Sequence, residues 1–179
     1  GIVIVRNAHA HSLLMDDTRV AGVNCTVSGR SRSFRAQAVV LACGGFEANA
    51  EMRARYLGPQ WDLAKVRGTR FNTGQGLLMA LAAGASSCGH WSGAHSTCWD
   101  LNAPETGDLT VGDGYQKFSY PIAIMVNAYG KRFVDEGADL QTFTYSRIGR
   151  EIMAQPGLFA WQVFDQRAVG LLRDEYRIR

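Results

Sequence analysis

Four patches of this 179-residue sequence carry residue types and spacings that could do chemistry: Ala42-Cys43-Gly44-Gly45, Thr73-Gly74-Gln75-Gly76, Ala94-His95-Ser96-Thr97, and Asn127-Ala128-Tyr129-Gly130 running on through Lys131-Arg132-Phe133-Val134-Asp135-Glu136. A glycine pair at the end of a buried strand keeps the backbone clear of side chains, so a flat ligand can approach it. The same pair also suits a tight strand exit. An imidazole such as His95 can donate to a carboxylate while staying largely neutral near pH 7, so it binds without a permanent buried charge. Asp135 and Glu136 do not read as a catalytic pair, because neighbours on a strand point to opposite sides. Lys131 and Arg132 read as a solvated or inter-domain face. The aromatics Trp91, Trp99, Phe118 and Tyr120 read as the walls of an interior.

Other chemistries are excluded by spacing. Cys25, Cys43, Cys88 and Cys98 form no CxxC knuckle and no dense disulfide framework, which predicts free buried thiols. His9, His11, His90 and His95 never adopt a helical ligand spacing, so no metal site is expected, and His90 reads as structural. The 19 basic and 16 acidic residues are mixed along the chain, and a net charge of +3 does not make a nucleic-acid surface.

The elements that must position these patches follow from pattern. A content of 46% hydrophobic and 20% charged residues predicts a globular chain. Its apolar stretches, 36–46 and 77–85, fall well short of the roughly 18 to 20 residues that cross a bilayer. No membrane span and a cytoplasmic setting are therefore expected. Residues 2–5 and 20–27 read as strands of an antiparallel meander, with turns at 16–18 and 28–31. The apolar run 38–42 reads as a strand buried on both faces in a parallel sheet. Helices are expected after Asn49, stopped by Gly58-Pro59, and after Asn72-Thr73, with Leu77, Leu78, Leu81, Ala82 and Ala85 on one apolar face. Irregular loops are expected over 88–120, then a hairpin of 122–126 with 132–134. A helix carrying Tyr145, Ile148 and Ile152, a strand over 159–164 and a last helix over 168–176 complete an α+β chain.

Taken in order, the four patches resemble the flavoprotein subunit family of fumarate reductases and succinate dehydrogenases. The soluble branch, with 3-ketosteroid and tricarballylate dehydrogenases, is the nearest. Residues 130–136, Gly149-Arg150-Glu151-Ile152 and Ala160-Trp161-Gln162 make tricarballylate dehydrogenases the most similar type. The family's opening GxGxxG and its closing flavin segment do not occur here, so the chain is expected to be an internal piece: 1–88 from the FAD-binding domain and 89–179 from the substrate-capping domain.

The resemblance implies that Ala42, Cys43, Gly44, Gly45, Thr73, Gly74, Gln75 and Gly76 lie against FAD. Gln75 stands where the family has an acid, exchanging an anionic acceptor for a neutral amide. It implies that His95 and Thr97 bind a small carboxylate substrate. The family's proton-delivering arginine has no simple counterpart. Four positions beyond Glu136 stands Leu140, while counting back from Glu151 puts Tyr145 opposite that arginine and Arg147 half a turn on. Arg147 is favoured for carboxylate binding or proton transfer, with Tyr145 as the alternative.

The implied function is oxidation of a tricarboxylate, tricarballylate to cis-aconitate, by hydride transfer to FAD, with electrons passing on to an accepting partner protein. Fumarate reductase-like or 3-ketosteroid dehydrogenase-like activity, or a non-catalytic cap-like binding module, are the alternatives. Because the nucleotide-holding motif is not part of this sequence, the isolated 179-residue chain is expected to purify without FAD, and a stoichiometrically yellow preparation would contradict the assignment.

Overall fold

The computed structural model describes residues 1–177, and its first body is the expected meander, shifted along the sequence. Strand β1 (Ala8–Asp16) pairs antiparallel with β2 (Arg19–Val27), which pairs antiparallel with β3 (Arg30–Arg35). The second turn holds Ser28 at φ 48° and Gly29 at φ 79°, the two positive values that match the twist of a tight hairpin. Residues 2–5 are not a strand. Ile2, Val3 and Ile4 are exposed, because none of the described residues pairs with them.

The run 38–42 also fails as a buried strand. Val40 is 88% exposed, and the segment is extended without a ladder partner among the described residues. A strand buried on both faces needs neighbouring strands and covering layers, and the apolar run alone supplies neither.

Helix α1 (Ala50–Leu57) begins where the sequence indicates: the Asn49 side chain accepts from the Met52 amide at 3.1 Å, and Gly58 caps the far end. Its Arg53 is buried and donates to the carbonyls of Glu47, Trp61, Asp62 and Ala64, tying the following loop to the helix. Burial lowers the pKa of that guanidinium. Helix α2 (Gln75–Ala82) is capped one to two residues later than proposed, by Gly74 at φ 81°. The face it buries is Gly76 and Met79, whereas Leu78 is exposed, so the proposed leucine stripe is only partly covered.

A long irregular segment with two 3-10 turns (Gly112–Tyr115 and Tyr120–Ile122) leads to β4 (Ile124–Val126). The turn at 127–130 forms, with Asn127 N donating to Lys131 O, but the second arm is a single bridge, Val126 to Arg132. The ladder partner of β4 is instead β5 (Trp161–Val163). Helix α3 (Gln141–Met153) packs Ile148 into a core with Cys98, Tyr120 and Met125, and Tyr145, Ile152 and Ala160 lie against it. The expected last helix is two 3-10 turns, Val169–Leu171 and Asp174–Arg177. Only two of the four free cysteines, Cys25 and Cys98, are buried; Cys43 and Cys88 are exposed. Among the described residues no helix is long and apolar enough to cross a membrane.

Arg132 is not part of a merely solvated face. Its Nε and Nη2 donate to Glu136, whose other oxygen accepts from the Met125 amide at 2.6 Å. Glu136 is thus a buried clasp between the turn and β4. Burial pushes its pKa up, but the bonds from Arg132 and Met125 outweigh that, and the carboxyl titrates below its usual range. A depressed folded-state pKa gives stability that is present above the unfolded-state value and is lost as the pH falls through the folded one. Glu136→Gln should cost the full-length protein about 1 to 2 kcal/mol near neutrality. In chemical denaturation the gap from wild type should close as the pH drops below the ordinary carboxylate range; a gap constant with pH would refute the clasp.

Candidate active site

Two of the proposed patches meet on the meander side. Gly74 N donates to Gly45 O at 2.9 Å, Ala48 N to Asn72 O at 2.9 Å, and the Asn49 amide to Thr73 O at 2.9 Å. A side chain on Gly74 would lie 2.5 Å from the Met52 sulfur, and one on Gly76 would lie 2.9 Å from the Cys43 Cβ. These glycines therefore let two loops and two helices close on one another. Gln75 turns its amide toward β1, donating to His11 O at 3.4 Å.

The third patch is laid along α3. Residues 94–97 touch it at four successive points. Arg150 donates to Ala94 O at 3.5 Å, the Tyr145 hydroxyl lies 2.5 Å from His95 Nε2, Ser96 Oγ donates to Ser146 O at 2.8 Å, and Thr97 backs onto Gly149. A Cβ at Gly149 would stand 2.5 Å from Thr97 N and 2.8 Å from the Ser96 carbonyl carbon. Those neighbours are backbone and cannot swing aside, so the contact needs glycine there.

Positions 145, 146, 149 and 150 share one helical stripe. Its anchor Ile148 is fully buried, and Tyr120 donates across the core to Gln141 O while sharing a 2.6 Å contact with Thr144 Oγ1. Tyr120 is accordingly core and not a cavity wall. Phe118 packs on the Tyr145 ring at 5.4 Å, and His95 meets it edge-on at 5.0 Å.

Between the meander side and α3 lies a cleft of about 1250 Å³, lined by Gly45, Phe46 and Asn72 on one wall and by His95, Thr97 and Gly149 on the other. That is more than the roughly 300 to 1,000 Å³ of a pocket for one small molecule. Trp91 and Trp99 line it, and Trp91 packs with Phe46 and Tyr56 at 6.0 and 4.8 Å. His90 also lines it, next to Ser92 Oγ.

Of the proposed site residues, His95, Thr97 and Gly45 face this cleft together. Ala42, Cys43, Gly44, Thr73, Gly74, Gln75 and Gly76 do not line it, the first three being exposed, and Tyr145 is outside the lining but touches His95. Arg147 is exposed and is not part of the lining. The Thr97 hydroxyl is buried with no hydrogen-bond partner among the described residues. Cys98 is inert beside it, since burial pushes its thiol up to about 12.

Four basic side chains, Arg53, Lys65, Arg67 and Lys117, line the cleft against two acids, Glu47 and Asp100. Arg67 and Gly149 were not singled out from sequence as site residues. Gly149 carried a signal, since a glycine inside a helix costs about 1 kcal/mol and calls for a packing reason. Arg67 carried none.

Comparison with known proteins gives the family. Residues 1–173 match the FAD binding domain family. The chain belongs to that family. It is 30% identical to a 3-oxosteroid 1-dehydrogenase of Mycobacterium tuberculosis over 98% of this chain and 31% of that protein. It is 32% identical to a probable fumarate reductase of Shewanella frigidimarina, over 93% of this chain and 26% of that one.

Among solved structures it resembles the open conformation of a flavocytochrome c3 fumarate reductase. The TM-score is 0.70 at 28% identity, over 95% of this chain and 28% of that one. It also resembles a 3-ketosteroid delta1-dehydrogenase from Sterolibacterium denitrificans, with a TM-score of 0.68 at 25% identity, over 89% of this chain and 29% of that one. The chain thus spans less than a third of the length of these relatives.

Gly149→Ala in the full-length protein should lower stability by about 1 to 3 kcal/mol, as overpacking against fixed backbone does. It should also lift 94–97 off α3. Hydrogen exchange at the 94–98 amides should speed up in the variant, and unchanged protection would show the contact to be incidental.

Proposed function

We propose that the whole protein is an FAD-dependent oxidoreductase that removes a hydrogen pair from adjacent carbons of a carboxylate substrate. In this reading 1–88 belongs to its flavin side and 89–179 to the cap over the substrate. The residues present fit one edge of a flat heteroaromatic cofactor. Gly45 offers backbone without a side chain, Asn72 offers an amide, and Phe46 and Trp91 offer apolar wall. Bound FAD would supply the hydride acceptor.

The observation that carries the reading is the Tyr145 hydroxyl, 2.5 Å from His95 Nε2, beside the unpaired Thr97 hydroxyl at the cleft. A phenol in contact with an imidazole can pass a proton on, so His95, which lines the cleft and is exposed, and Tyr145 behind it can together carry the proton taken from substrate carbon. A buried hydroxyl without a partner costs about 1 to 3 kcal/mol, which a substrate oxygen accepting from Thr97 would recover.

The basic excess on the walls, four against two, favours anionic substrates. The narrower assignment, a tricarboxylate such as tricarballylate going to cis-aconitate and electrons passing to a partner protein, rests on the sequence resemblance. A ketosteroid-type substrate is the second reading. The apolar part of the lining, including Trp61, Leu81 and Phe159, favours it.

Turnover by the full-length protein with FAD, across tricarboxylates, dicarboxylates and 3-ketosteroids, separates these readings. Carboxylate turnover is expected, and activity confined to ketosteroids would overturn the substrate class. Within that assay Tyr145→Phe should cut kcat at least about a hundredfold with little change in affinity, since only the hydroxyl is lost. His95→Ala should cost about 1.5 to 3 kcal/mol of substrate binding while FAD is retained. Arg147→Lys should stay within about twofold of wild type, because Arg147 is exposed and, unlike Tyr145, makes no hydrogen bond to a cleft-lining residue among the described residues. A collapse of activity in that variant with normal turnover in Tyr145→Phe would restore Arg147 as the proton carrier.

A further inference from the structure

The four cations that line the cleft are not equally available. Arg53 is 8% exposed and commits its guanidinium to four backbone carbonyls. Lys65 donates to Ala103 O and pairs with Glu105. Lys117 is held by Asp100 at 3.1 Å and Glu175 O at 2.8 Å, with the Tyr176 ring 5.1 Å away. Arg67 differs. Its Nε and Nη2 donate to the two oxygens of Asp113 at 2.8 and 2.7 Å, while its Nη1 hydrogens have no partner among the described residues, and 41% of its side chain is exposed.

Its backbone is fixed as firmly as its side chain. Val66 forms a parallel bridge with Thr106, Val66 N donates to Glu105 O at 2.9 Å, and Gly107 N donates to Gly68 O at 2.8 Å. A Cβ on Gly107 would stand 2.3 Å from Arg67 O, so the two segments close around Arg67 only with glycine opposite. Arg67 also lies within electrostatic reach of Tyr145.

A guanidinium has two two-donor edges. Asp113 occupies the Nε and Nη2 side, and the Nη1 and Nη2 end remains free.

We propose that Arg67, oriented by Asp113 and by the 66–68 to 105–107 zipper, is a specificity-determining residue whose free guanidinium end receives a second carboxylate of the substrate in the cleft. The inference rests on the function proposed above and deepens it to polycarboxylates, since the Thr97 hydroxyl already serves one carboxylate in that reading. Asp113 fixes the plane of the fork at the cleft wall, and its own carboxyl is held below the usual range by the hydrogen bond from Arg67. Lysine has one point charge and could not hold Asp113 and a substrate carboxylate in the same planar geometry.

Steady-state kinetics of the full-length flavoprotein test this with three probes: a tricarboxylate, the matching monocarboxylate, and its neutral ester. Arg67→Lys should raise KM for the tricarboxylate at least about tenfold, with kcat within about twofold and flavin content unchanged. It should leave KM for the monocarboxylate and the ester unmoved. Asp113→Asn, which keeps the cation but loosens the fork, should raise the tricarboxylate KM about threefold.

Unchanged tricarboxylate KM in Arg67→Lys, or an equal rise for all three probes, overturns the assignment. Should Arg67→Lys lose its flavin, Asp113→Asn decides alone, and an unchanged KM there counts against Arg67. Wild-type enzyme that turns over no carboxylate at all sinks the underlying function and this inference with it.

Discussion

The close approach of residues 94–97 to helix α3 is the constraint on which the rest of the candidate site depends. Without a side chain at Gly149 the chain lies on the helix backbone, and Tyr145, Ser146 and Arg150 each take a contact from the next residue along. The helix is held in turn by Ile148 and Thr144 in the core around Tyr120 and Met125. A phenol and an imidazole are thereby fixed on elements that cannot drift apart without opening a packed interior.

The second support lies under β4. Glu136 spends a buried carboxylate on one backbone amide and one arginine, which seats Met125 in the same core that carries α3. On the opposite wall the glycine loops at 44–45 and 74–76 pack against each other and against α1 and α2, so Gly45 reaches the cleft from a braced turn. The cleft lies between two stiff walls, one proposed to receive a cofactor edge and one bearing the contact between Tyr145 and His95.

Much of this was legible in the sequence where a local rule decides the outcome. Asn49 as a cap, the stop at Gly58, the tight turn at Ser28-Gly29 and the helix through Ile148 and Ile152 follow from turn and capping chemistry and from periodicity. The sequence misled where an element depends on a distant partner. The run 38–42 has strand composition but no strand beside it among the described residues, and residues 132–134 lost the ladder to β5, which lies 27 positions or more away in sequence. Within the site, His95 and Thr97 were found through a motif. Arg67 escaped notice because its significance comes from Asp113, a contact across 46 positions that no spacing rule encodes.

Proton delivery to substrate carbon offers the most direct test of the account. On the proposed reading, the reduced full-length enzyme, given the unsaturated carboxylate in deuterated water, should carry solvent deuterium into the saturated product, which proton and deuterium NMR resolve. Replacing Tyr145 with phenylalanine should abolish this incorporation while the substrate still binds, because in the proposed reading the hydroxyl held against His95 carries the proton. Deuterium entering at the wild-type rate and position in that variant would contradict it.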